Sequence, residues 1–245
     1  MWNNEQIKKH IETAELLDKI KNETFEYISL HKNTSEKDIQ EFILKKFKEN
    51  NIKSDKDPPI VAFNENSAIP HYFPSGKSKL LKKNSWILID LWAKLKNSKS
   101  PFADITWVAY YGDKIPKRIQ KIFNIVIKAR DSALDYIKKE LEKGKMPIGK
   151  EVDKITRGII SNEGFNGKFV HGTGHSIGFT SPHGNRSNLN KKGRKHMSIN
   201  LGYTIEPGIY IKNEFGIRSE IDFYINKKKK LIITTNTQNR IILIS

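Results

Sequence analysis

Residues 85–112, SWILIDLWAKLKNSKSPFADITWVAYYG, decide the fold. Two apolar runs, SWILIDLWA (85–93) and ADITWVAYYG (103–112), are separated by a turn of Lys, Asn, Ser and Pro, which predicts a β-hairpin. Asp90 ends the apolar stretch WILID within the first run and Asp104 stands at the start of the second, and an apolar strand accommodates an ionised group when it is paired or hydrogen-bonded. Working outward, apolar residues at helical spacing (Ile7, Ile11, Ala14, Leu17, Ile20) predict a helix over 4–30. A second follows from Ser35, which can cap DIQEFILKKFKEN, and PPIVAF (58–63) predicts a strand. The same texture then recurs. A helix runs from Pro116 through IQKIFNIVIKARDSALDYIKKELEKG to Gly144, a shorter one covers about 147–164, and TIEPGIYI, GIRSEIDFYI, KLIITTN and RIILI are β-type runs. Two helices followed by strands, twice over, predict a duplicated α+β unit in one domain over 1–245, with pseudo-symmetric halves of about 1–113 and 114–245.

Composition removes several classes of function. The 245 residues contain no Cys, which excludes disulfide scaffolds, cysteine nucleophiles and thiolate metal sites. Any metal would therefore sit among carboxylate and imidazole ligands. A hydrophobic fraction of 37% is too high for a disordered chain. The N-terminal residues show no apolar signal segment, and no stretch approaches the roughly 18 apolar residues of a membrane span, so a soluble cytoplasmic protein without membrane partners is expected. The 44 Lys and Arg exceed the 27 Asp and Glu by a net charge of +17, a balance that can serve nucleic-acid binding. Seven of the 44 are Arg, however, and Lys is a poor reader of bases, so a Lys-rich solvated surface is the expected meaning and nucleic acid is not the expected partner.

Three of the seven histidines, His171, His175 and His183, crowd into the Gly-rich stretch VHGTGHSIGFTSPHG. Gly174 to Gly178 match the G-x-S-x-G pattern of hydrolase nucleophiles, but no acid lies between Ser176 and Glu206 and no His follows His196. The order Ser, acid, His cannot be assembled. A better combination joins His175 to carboxylates planted in apolar β-runs: Asp90, Asp104, Glu206 in YTIEPGIYI and Glu220 in GIRSEIDFYI. Each alone reads equally well as a surface residue of an alternating strand. Together, four carboxylates and one imidazole form a hard ligand set whose negative charge two divalent cations would neutralise.

The segments IDLWA…ADIT, HGTGHSIG, IEPGIY and GIRSEID resemble, in that order and over nearly the whole chain, the motifs of the pita-bread metallopeptidases, which include Xaa-Pro aminopeptidases, Xaa-Pro dipeptidases and methionine aminopeptidases. The resemblance implies a pseudo-twofold fold around a curved antiparallel sheet, here as a catalytic domain without the N-terminal domain of longer relatives. It implies two divalent ions, Mn²⁺ or Co²⁺ with Zn²⁺ or Fe²⁺ as alternatives, held by Asp90, Asp104, His175, Glu206 and Glu220. It assigns catalytic and substrate-binding roles to His71 in IPHYFPSG, His171 and His183, with Glu206 as the proton shuttle. Arg218 is similar to an Arg that supports the ligands. This chain departs from the pattern in three places. Asp90 and Asp104 are 14 positions apart, which puts an insertion in KLKNSKSPF; the step from His175 to His183 is long; and Trp107 stands where many relatives have Arg.

HGTGH together with EPGIY leans to the proline-specific branch. The implied activity is that of a dimetal hydrolase in which a metal-bridging hydroxide attacks the peptide bond before proline. The implied partner is a peptide with proline at the second position, and a homodimer is a possible assembly. The alternatives are methionine aminopeptidase activity, a metal-free creatinase-like hydrolase and a non-catalytic pita-bread module that binds peptides or proteins.

Overall fold

A computed structural model of the chain describes residues 1–75, 78–96 and 99–245. Gly76 of IPHYFPSG, and Asn97 and Ser98 of the proposed insertion, lie outside the described residues. The elements follow in the order α1 (Asn4–Leu30), α2 (Glu36–Glu49), β1 (Ile52–Lys53), β2 (Ile60–Phe63), β3 (Ser85–Leu95) and β4 (Ala103–Tyr111). Then come α3 (Lys117–Glu142), α4 (Gly149–Ile160), β5 (Gly202–Ile205), β6 (Gly208–Ile211), β7 (Phe215–Arg218), β8 (Ile221–Ile225), β9 (Leu231–Ile233) and β10 (Ile242–Ile244). Helix-helix-strand therefore occurs twice, as the periodicity predicts. Among the described residues no helix is long and apolar enough to cross a membrane.

Local chemistry sets the helix ends. Asn3 and Gln6 form a capping box at α1, and Ser35 and Asp38 form one at α2, each satisfying two otherwise orphan amides. α3 stops in a Schellman turn. There Gly144 takes φ +75° while its N–H donates to Leu141 O at 2.9 Å and that of Lys145 to Glu140 O at 2.9 Å.

β3 and β4 pair antiparallel, with Asp90 opposite Thr106 and Trp92 opposite Asp104. Side chains alternate along a strand, so odd and even positions of β3 face different cores. Ile87, Ile89, Leu91 and Ala93 pack with Leu17, Ile20, Ile39 and Ile43 of α1 and α2. Trp86, Leu88 and Trp92 pack toward Phe123 and Val126 of α3 and Tyr203 and Ile217 of the second half. Burial on both faces explains the unbroken apolar run SWILIDLWA. Asp90 falls on the even face, between the halves. It sits in mid-strand and not at a strand end, because β3 continues to Leu95.

Two expectations change. The sheet is not wholly antiparallel, since β10 joins the edge of β4 in parallel; β5, β8 and β9 form a second ladder, and β6 and β7 a third. In addition, TIEPGIYI and GIRSEIDFYI are each interrupted, at Glu206–Pro207 and at Ser219–Glu220. Ile205 pairs with Ile221 and Gly208 with Arg218, so the register carries across the gap and sets Glu206 opposite Glu220. Pro207 lacks the N–H a continuous ladder would use. The two glutamate amides leave the hairpin altogether: Glu206 N–H donates to Thr173 O at 2.7 Å and Glu220 N–H to Thr106 O at 3.3 Å. The broken hairpin is thereby tied on one side to the histidine loop and on the other to β4.

Candidate metal centre

The site is assembled from three pieces of backbone. β3 and β4 supply Asp90 and Asp104, the broken hairpin supplies Glu206 and Glu220, and the loop after α4 supplies His175. That loop approaches β5 so closely that a Cβ on Gly174 would lie 2.0 Å from Thr204 O, which only glycine tolerates. Ligand atoms of Asp104, His175 and Glu220 all lie within 4.8 Å of one another. His175 Nε2 is 3.5 Å from Glu206 Oε1 and 3.8 Å from Asp104 Oδ2. Asp90 lines the same cavity as these four. The long Asp90–Asp104 spacing is taken up beyond the hairpin's paired residues and leaves the two side chains one diagonal step apart on the same face.

Electrostatics argue for a cation among these groups. Burial raises Asp104 well above the ordinary carboxylate range, and the charges of Glu220, Asp90, Asp222 and Glu206 add to the rise. Glu220 is raised in the same direction by burial, then by Glu206 and Asp90. Glu206 is pushed up to about 8, chiefly by burial. His175 is pushed down to about 3, first by burial and then by His183, which keeps it neutral. Its Nδ1–H donates to Ser176 O at 3.2 Å, leaving the Nε2 lone pair on the side of the carboxylates. Asp90 Oδ1 is buried with no partner. An imidazole lone pair, an orphaned carboxylate oxygen and carboxyls that must otherwise hold protons fit a hard divalent cation.

Arg218 is the cation at the edge of this cluster. It donates to Asp90 Oδ2, to Thr106 Oγ1 at 2.9 Å and to the Tyr210 hydroxyl oxygen at 3.0 Å. The Tyr210 O–H in turn donates to His171 Nε2 at 2.6 Å, and His171 Nδ1–H donates to Gly172 O at 2.8 Å. Both His171 nitrogens are thus engaged within the protein. His71 and His183 are exposed at the cavity mouth, with His183 stacked obliquely on His175 at 4.2 Å between ring centroids. Ser176 is no nucleophile: its buried hydroxyl accepts Arg186 N–H at 3.1 Å inside the loop.

Sequence reasoning missed several residues that hold this arrangement. Asp222 Oδ2 accepts the Asp104 amide at 2.8 Å, Thr106 Oγ1 donates to Glu220 Oε2 at 2.8 Å, and the Gln238 side chain bonds both Val108 N–H and Val108 O. The Asp222 and Gln238 side chains satisfy the edge of β4 where no strand pairs with it. Asp153 of α4 accepts the amide and hydroxyl of Thr173 at 3.0 Å, while Arg157 donates to Asp153, Phe169 O and His171 O. The spacing of Asp153 and Arg157 on one helical face was the available signal. For Asp222 it was a carboxylate two residues beyond Glu220 in an apolar run.

Comparison with known proteins agrees with this geometry. The profile of Metallopeptidase family M24 matches residues 8–227. The uncharacterized peptidase MW1651 of Staphylococcus aureus (strain MW2) is 29% identical over 230 residues, which cover 94% of this chain and 61% of that protein. Prolidase from Thermococcus sibiricus superposes with a TM-score of 0.87 at 28% identity, over 99% of this chain and 62% of that one. X-Pro aminopeptidase from Thermotoga maritima superposes with a TM-score of 0.87 at 26% identity, over 99% and 64%. The chain therefore spans about six-tenths of the length of these relatives. With the α+β pita-bread fold, a buried Asp, His and Glu group able to hold a metal, and a family match across most of its length, the chain belongs to metallopeptidase family M24.

Proposed function

We propose that this metallopeptidase hydrolyses the peptide bond before proline, as an Xaa-Pro aminopeptidase or Xaa-Pro dipeptidase, with Asp90, Asp104, His175, Glu206 and Glu220 holding two divalent ions. The observation that carries the reading is the convergence of Asp104, His175 and Glu220 within 4.8 Å, with Asp90 and Glu206 on the same cavity. The proline-specific names of the two superposed structures support the substrate class. Two ions bound there would lower the pKa of a water and polarise the scissile carbonyl.

The chain's own residues supply the rest. Glu206, opposite Glu220 and beside His175, is the proton shuttle, taking a proton from the attacking water and returning it to the leaving prolyl nitrogen. His71 and His183 flank the entrance as donors to the developing oxyanion. Arg218 orients Asp90 and, through Tyr210, fixes the His171 ring. Residues 1–245 act as one catalytic domain.

Chelation and a substrate panel test the proposal. EDTA should abolish cleavage of an Xaa-Pro dipeptide or Xaa-Pro-Yaa tripeptide, and Mn²⁺ or Co²⁺ should restore it. Undiminished turnover in the metal-stripped protein would overturn the metal mechanism. Cleavage of Met-Ala-Ser but no Xaa-Pro peptide would replace proline specificity with methionine aminopeptidase activity.

A further inference from the structure

Two cavities open onto the ligand cluster. The smaller, about 160 Å³, is lined by His171, Gly172, Asn188 and Asn190. The larger, about 240 Å³, is lined by Asp90, Trp92, Ile60, Phe73, Asp55 and Asp57. An exopeptidase cutting one bond must house a substrate residue on either side of it, and the two cavities meet that need.

The larger cavity has a distinctive chemistry. Asp55 Oδ1 accepts the Trp92 indole N–H at 2.9 Å and the Asp57 amide at 3.2 Å, which fixes the carboxylate against the wall two residues along β3 from Asp90. Among the described residues neither Asp55 nor Asp57 enters an ion pair, although the chain carries 44 Lys and Arg. Deeper in, Asp90 is 7% exposed and its Oδ1 lacks a partner. Arg218 is taken up by Asp90, Thr106 and Tyr210, and the remaining basic residue of the wall, Lys56, is exposed. The cavity thus offers apolar surfaces at Ile60, Phe73 and Trp92 and two carboxylates, Asp55 and Asp57, that pair with no cation among the described residues.

We propose that this cavity receives the residue preceding proline and selects a cationic side chain, Lys or Arg, at that position. The inference rests on the Xaa-Pro reading and deepens it. The acidic side of the site attracts the α-ammonium end of a peptide and repels its carboxylate end, so the N-terminal residue enters here and proline takes the side of His171. The methylene stem of Lys or Arg lies along Trp92 and Phe73 while its charged head reaches Asp55 and Asp57.

The test compares kcat/KM of the Mn²⁺-loaded protein for Arg-Pro-Ala, Lys-Pro-Ala, Leu-Pro-Ala and Glu-Pro-Ala, with the matching dipeptides in parallel. Arg and Lys should exceed Leu about fivefold or more, the size expected of partly exposed charge pairs, and the gap should narrow in high salt. The double variant Asp55→Asn/Asp57→Asn should bring the Arg-to-Leu ratio close to one, and Lys56→Gln should raise it. Because each ratio is taken within one protein, partial unfolding or metal loss divides out. A wild-type ratio near one, or a ratio that survives the double substitution, overturns the inference. Should no Xaa-Pro peptide be cut at all, the Xaa-Pro reading itself fails. Calorimetry with L-arginine amide and L-norleucine amide then decides the cavity, and equal affinities overturn it.

Discussion

Glu206 concentrates the chemistry of the site in one side chain. Half-buried opposite Glu220 and near His175 Nε2, it is held up to about 8, so in the absence of a cation it keeps its proton at neutral pH. A divalent ion must displace that proton, and metal affinity should therefore rise with pH up to about 8, measurable as proton release on Mn²⁺ titration. Glu206→Gln should lower kcat by about 10²-fold or more, with a smaller change in KM, because the proposed shuttle would act in the transition state. An unchanged kcat would remove Glu206 from the mechanism. The acids proposed as ligands were conspicuous in the sequence because they stand in apolar surroundings, and the structure brings Asp104 and Glu220 together with His175. Tyr210 was not, because nothing local marks an aromatic side chain whose hydroxyl links Arg218 to His171.

The element that makes the site is the interrupted hairpin from β5 to β8. Ser219 N–H donates to Pro207 O at 3.3 Å, so the neighbouring Glu206–Glu220 pair is a non-hydrogen-bonded one whose amides point out of the hairpin. They donate to Thr173 O and Thr106 O and so tie the hairpin to the histidine loop and to β4. Gly174→Ala should push the histidine loop away from Thr204 O, with a loss of roughly 2–4 kcal/mol in unfolding free energy and a weaker metal site. Denaturant titration together with a Mn²⁺ dissociation constant would check both. Asp153→Ala leaves Arg157 facing Phe169 O and His171 O without its counter-charge. About 3–5 kcal/mol should be lost, the usual cost of removing one partner of a buried pair. A variant as stable as the parent would show that the pair does not hold the loop. The sequence carried only the spacing of this clamp, because Asp153 and Arg157 read as an ordinary (i, i+4) pair on a helix.

For the whole molecule, the charge surplus and the buried acids act differently. Many lysines lie in solvated pairs along helices, such as Lys9–Glu5, Lys37–Glu41 and Lys45–Glu49, where water and salt screen the attraction. This is a solvated surface. The buried groups govern pH dependence instead. Burial holds His171 and His175 down to about 3 and His10 to about 4, so all three are neutral in native and unfolded chains above pH ~7.5 and add no slope there, while below it the unfolded chain binds their protons and stability rises with pH. Glu206 is ionised in the unfolded chain above 4.5 yet keeps its proton natively up to about 8, so unfolding releases that proton. Stability of the metal-free protein should accordingly fall as pH rises from about 7 to 8, by up to about 1 kcal/mol. The Mn²⁺-loaded protein should lack this slope and melt at a higher temperature, because the ion binds the native state. Thermal scans at the two pH values, with EDTA and with Mn²⁺, separate these outcomes; equal slopes would place the proton elsewhere.

Sequence by itself determined the type and order of the elements: period and caps are local, so α1 to α4, β3 and β4 and the capping by Ser35 and Gly144 could be read directly. It also nominated the acids and histidines, because an ionisable group in an apolar run is conspicuous wherever the run lies. Tertiary structure alone decided that β10 joins β4 in parallel, that the two glutamate runs break, and that Asp222, Gln238 and Arg130 brace residues about 90 to 130 positions away. Those outcomes depend on which partner satisfies a backbone amide or a buried charge once distant segments meet, and no local pattern carries that information.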